Sequence, residues 1–111
     1  MDEKTNLLVQ VEEFVKETLQ RELPKGVVYH DLHHTEQVVE AAREIGQHSG
    51  LSDAELEIVI LAAWFHDLGF KDKTGVNHEE ASASLAADFL RGKNYDEAKI
   101  KQVESCIMAT R

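Results

Sequence analysis

The stretch LAAWFHDLGF, residues 61–70, decides how this chain is read. It closes an uncharged apolar run over residues 58–65 with His66 and Asp67 side by side. Such a run is far short of the ~20 residues that span a bilayer, so it predicts a helix buried in a protein core. A carboxylate delivered to the end of a buried helix is costly unless it is paired, hydrogen-bonded or bound to a metal. His66 adds a neutral nitrogen donor to the hard oxygens of Asp67, and the doublet reads as half of a metal site.

Working outward from that helix, the periodicity is helical throughout. Upstream, Leu7, Leu8, Val11, Phe14, Val15 and Leu19 share one face of a first helix that ends before Pro24. Residues 25–34 read as a loop through Lys25-Gly26 and the histidine-rich YHDLHHT at 29–35. A second helix is expected from about Thr35, with Val38, Ala42 and Ile45 inward and a stop at Gly50. Ser52 and Glu55 have the spacing of a capping box and open the third helix, which runs to His66-Asp67 and ends at Gly69. Asn77 and Glu80 repeat the signature ahead of a fourth helix through Ala81, Leu85 and Phe89, closed by Gly92. Asp96 caps a fifth, with Ile100, Val103 and Ile107 inward. No segment alternates at period two long enough to be a strand. The fold class expected is all-α, a compact bundle of about five helices forming a single domain over residues 1–111.

Composition narrows the function. A formal charge of −9 argues against a nucleic-acid or anionic-membrane partner, because a polyanion is repelled on average. It leaves room for a small phosphorylated substrate, since an ion and a few local lysines reverse the field within one pocket. Cys106 is the single cysteine, so neither an internal disulfide nor a cysteine zinc site is available. Its neighbours Val103 and Ile107 favour a structural thiol. With no signal peptide or membrane span in the pattern, the expected location is the cytoplasm.

The six histidines carry most of the chemistry. His48, in a polar stretch at a helix end, reads as a surface residue. His30, His33 and His34 fall within five residues, a density that points to a ligand or an anion beside a helix start. His78-Glu79 opens like the zinc-protease pattern HExxH, but Ser82 stands where the second histidine belongs, and that reading fails. The serines lack a nucleophile-elbow glycine frame, and no phosphate-cradling glycine loop is present. Trp64 lies at helical spacing among core residues and reads as core.

Taken in order, YHDLHHT, GLSDAELE, AAWFHDLGF, NHEEASASLAADFL and IMATR resemble the HD-domain superfamily of metal-dependent phosphohydrolases, from about residue 29 onward. The resemblance implies an HD-type helical domain and a divalent ion (Mn, Fe, Co, Ni, Zn or Mg) held by His34, His66 and Asp67. A later aspartate that completes the family's ligand set has no counterpart here. Asp72, Asp88 and Asp96 do not match it, and the chain reads as cut at Ala109-Thr110-Arg111. His78 falls where some members place a ligand for a second ion.

The implied activity is hydrolysis of a small phosphoester, nucleotide-like, by a metal-activated water. Asp67, His33 or His78 would orient or deprotonate the water, and Lys71, with Lys73, would meet phosphate as point charges. Two other readings compete. One is a non-catalytic metal- or ligand-binding signalling module on the same fold. The other is a helical interaction domain in which His66 and Asp67 form a buried structural pair. Oligomeric state is left open.

Overall fold

The protein is described by a computed structural model that places residues 3–22, 25–66, 68 and 78–109. Among the described residues there are five helices and no strand: α1 (Glu3–Glu22), α2 (Lys25–His48), α3 (Asp53–Phe65), α4 (His78–Gly92) and α5 (Glu97–Met108). The all-α expectation is met. None of these helices is long and apolar enough to cross a membrane.

α3 is the axis of the bundle, in contact with each of the other four helices. Its sequence explains this position. Ile58 and every residue from Ile60 to Phe65 are buried, so the C-terminal part of the helix is apolar around most of its circumference. Its start is set by the expected capping box: the Ser52 hydroxyl accepts from the Glu55 N–H at 3.1 Å, and the Glu55 carboxylate accepts from the Ser52 N–H at 2.9 Å. Gly50 precedes it with φ +74, the left-handed conformation that glycine adopts without a Cβ clash.

The other helices wrap this axis with one face each. On α1, Val11, Val15 and Leu19 recur at four-residue intervals and are buried as expected. Thr18 is also buried, and its hydroxyl donates to the Phe14 carbonyl at 2.8 Å. Phe14 bridges helices: its ring centre lies 4.5 Å from that of Phe89 on α4 and 6.0 Å from that of Phe65 on α3. On α5, Ile100, Val103 and Ile107 are fully buried, and the Asp96 carboxylate accepts from the Ala98 N–H at 3.2 Å as the cap. On α4 the buried face is Ser82, Ala83, Ala86, Ala87 and Leu90, with Ala81, Leu85 and Phe89 at its half-buried flank. α4 ends at Gly92 as expected, and Asn94, at φ 59, turns the chain toward α5.

Two expectations need correction. Residues 25–34 are not a loop but the first ten residues of α2. The Gly26 penalty of about 1 kcal/mol in a helix is small. It is outweighed because Leu32, Thr35 and Val39 share a helical face on the core. Ile45, expected inward, is 67 % exposed. At that end α2 meets α3 through Gly46 instead, where an added Cβ would stand 2.5 Å from the Leu56 side chain. One residue along a helix is a rotation of about 100°, enough to exchange core for solvent.

Trp64 is core as expected. Cys106 is half-buried, and burial pushes its thiol pKa up, which suits an inert thiol. Glu57 is the one buried carboxylate among the described residues. The Tyr95 hydroxyl donates to it at 2.6 Å, while its second oxygen has no partner.

Candidate metal centre

α3 delivers His66 to the edge of the core as its C-terminal cap residue. A helix end leaves carbonyl oxygens without intrahelical donors, and the imidazole answers one of them. Nδ1–H of the half-buried His66 donates to the Ala63 carbonyl oxygen at 2.6 Å. Because a carbonyl only accepts, this bond places the proton on Nδ1 and leaves the Nε2 lone pair free in the neutral ring. Metal-ligating histidines are habitually held in this way by a backbone carbonyl or carboxylate.

The second imidazole comes from α2. Thr35 and Val39 are buried and pin that helix to the core, which sets their neighbour His34 at the boundary, exposed but beside α3. The ring centres of His34 and His66 are 6.0 Å apart, with their planes at 55°. An imidazole nitrogen ligates at ~2.0–2.1 Å, which puts each ring centre roughly 3.2 Å from an ion, so two rings on one ion have centres roughly 4.5–5.2 Å apart at octahedral-cis or tetrahedral angles. At 6.0 Å the pair stands wider than that, and the exposed His34 ring would have to move inward to share an ion with His66. The carbonyl end of the α3 dipole lies beside the same point and favours a cation there. Two imidazoles are donors of the kind a divalent ion takes, and the described residues supply no third beside them.

The remaining site candidates fall as follows. His33 is exposed on α2, about 100° around the helix from His34, and adjacent helical residues do not face the same point. His78 is the first residue of α4, its side chain outside the described residues. Asp67, Lys71 and Lys73 lie outside the described residues as well. His30 belongs to the backbone of α2, one turn ahead of His34. His48 is exposed, as expected. Among the described residues no three His, Cys, Asp or Glu side chains are grouped to hold an ion, so the described part of the centre is the His34–His66 pair.

Sequence reasoning missed the role of Ala63. Its signal was available, since position i−3 from a histidine at a helix end is where a free carbonyl stands, but alanine itself carries no mark of it. The helical path of the histidine-rich segment was also missed, because Lys-Gly and three histidines look like a loop until Leu32, Thr35 and Val39 are seen to face the core.

The family model for the HD domain matches residues 31–107, from the middle of α2 to the end of α5, with His34, His66 and Asp67 inside it. No curated protein and no solved structure matched the chain. With more than half of its length under that match, on an all-helical core that pairs the first histidine with the His-Asp helix, the chain belongs to the HD domain family.

Proposed function

We propose that this chain is a metal-dependent phosphohydrolase acting on a small, nucleotide-like phosphoester, with a divalent ion held by His34, His66 and Asp67. The observation that carries the reading is the His34–His66 pair: two imidazoles from different helices, 6.0 Å apart, one of them locked by Ala63 with its Nε2 free. Membership of a family that is generally hydrolase-like and metal-dependent supports the same reading.

When bound, the ion supplies charge neutralisation at the phosphoryl oxygens and a lowered pKa for its water. The chain's own residues then have separable tasks. His66 and His34 contribute neutral nitrogen donors and leave the charge balance to Asp67, whose second oxygen orients the attacking water. His78, at the start of α4, is the candidate for relaying a proton to or from that water. Lys71 is the candidate for meeting the substrate phosphate, and His33, exposed beside His34, for a contact with the outer part of the substrate.

The test is metal content by elemental analysis of the purified chain after reconstitution with Mn, Fe, Co, Ni, Zn or Mg, with Asp67→Asn and His66→Ala alongside, followed by a phosphoester screen. Stoichiometric metal lost in both variants, with turnover lost in parallel, is the expected result. Metal retained at wild-type level in both variants would sink the assignment. Metal present without turnover across the panel would move the chain to the non-catalytic binding module.

A further inference from the structure

At the opposite end of α3 from His66, a groove of about 430 Å³ opens between α3 and α5. Its volume lies in the range of ~300–1,000 Å³ usual for small-molecule sites. At 1.5 Å rise per residue, Val59 and Glu55 stand roughly 10–16 Å along the helix from His66, so the groove is separate from the metal centre. One wall is apolar, Leu51, Ile58 and Val59; the α5 wall is mixed, with Gln102 and Ser105 beside the half-buried Cys106. Two charges stand at its mouth, Lys101 from α5 and Glu55 from α3.

These two charges are not equivalent. The Glu55 carboxylate is bound back onto its own helix start, accepting from the Ser52 N–H at 2.9 Å, and this bond lowers its pKa. Lys101 makes no ion pair among the described residues, although Glu97 feels its field. A lysine without an ion pair among the described residues, at the lip of this groove, is a cation available to an incoming anion, against the field of Glu55 and Glu97.

We propose that this groove binds a small amphipathic monocarboxylate, its aliphatic body against Leu51, Ile58, Val59 and Cys106 and its carboxylate on Lys101. A chain of about eight carbons fits within that space without reaching the metal centre. The site is independent of the phosphohydrolase reading.

Cys106, the single cysteine, provides the readout from within the groove. Its alkylation by iodoacetamide at alkaline pH would be followed against octanoate, with octanol as the uncharged control. The expected result is saturable protection by octanoate, at least ten-fold weaker protection by octanol, and a ten-fold or greater loss of octanoate affinity in Lys101→Glu. Glu55→Gln should shift affinity the other way, tightening octanoate a few-fold. Glutamine serves the capping box as glutamate does, so that variant keeps the helix start. Far-UV circular dichroism confirms the fold of both.

Only an anion seated between these two residues moves in opposite directions in the two variants. Absence of protection, equal protection by octanol, or charge variants that leave octanoate unchanged would each overturn the proposal. Protection that grows with protein concentration without octanoate would overturn it too, and would assign the groove to a second copy of the chain.

Discussion

Replacing Tyr95 with phenylalanine removes one oxygen and should destabilise the protein by about 1.5–3 kcal/mol, the range for a hydrogen bond to a charged group. The Tyr95 hydroxyl is the sole partner of the Glu57 carboxylate, at 2.6 Å, and the other carboxylate oxygen is already unpartnered. In Tyr95→Phe both oxygens would be left inside the bundle without a donor. For a domain of this size that loss corresponds to a fall in Tm of roughly 6–15 °C. Urea unfolding followed at Trp64 should show a lower midpoint with an unchanged slope, since the surface exposed on unfolding is the same. A double-mutant cycle with Glu57→Leu isolates the pair. Glu57→Leu, Tyr95→Phe should recover most of the single-variant loss, because an apolar pair of similar volume leaves nothing unsatisfied. A Tyr95→Phe cost under about 0.5 kcal/mol, or strictly additive variants, would refute the reasoning. The pair also has a pH signature. Burial first, and then the bond to Glu57, raise the Tyr95 pKa above its ordinary value. The folded state therefore holds the phenolic proton more tightly than the unfolded chain. Its contribution is complete below the unfolded value of about 10 and is lost as pH rises beyond it. Wild type should thus lose stability above about pH 10 more steeply than Tyr95→Phe.

Ser52→Ala removes the hydroxyl that accepts from the Glu55 N–H and should cost about 0.5–2 kcal/mol in thermal unfolding. Gly46→Val puts branched bulk where a Cβ alone would stand 2.5 Å from Leu56, so a loss of about 1–3 kcal/mol is expected, measured in urea. His34→Ala alters an exposed side chain and should leave the unfolding free energy in metal-free buffer within about 0.5 kcal/mol of wild type. The same variant should lose the stabilisation that wild type gains from a divalent ion, about 2.7 kcal/mol at a hundred-fold excess over Kd. Leu61→Ala empties a fully buried position on the central helix and should cost about 2–5 kcal/mol, the largest single loss in this set.

The local elements are written in short windows of the chain. Ser52 with Glu55, and Asp96 ahead of Ile100, Val103 and Ile107, state helix starts and faces in a short window, and those features stand where they were expected. The apolar run of residues 58–65 likewise made α3 the core helix, because nothing on it could face water. His66 was legible for the same reason, as a polar donor at the end of that apolar run. Tertiary structure decided what depends on a rotation or on a partner from elsewhere in the chain. Ile45 and Gly46 exchange core and solvent by one step of about 100°, a choice made by how closely α2 approaches Leu56 on α3. Residues 25–34 are the start of α2, whose face at Leu32, Thr35 and Val39 packs on the core, and a window of Lys-Gly and histidines carries no record of that packing. The pairing of Glu57 with Tyr95 spans 38 positions and that of His34 with His66 crosses from α2 to α3. Local periodicity specifies which residues share a helix face; which faces meet, and so which imidazoles can share an ion, is settled only when the helices pack.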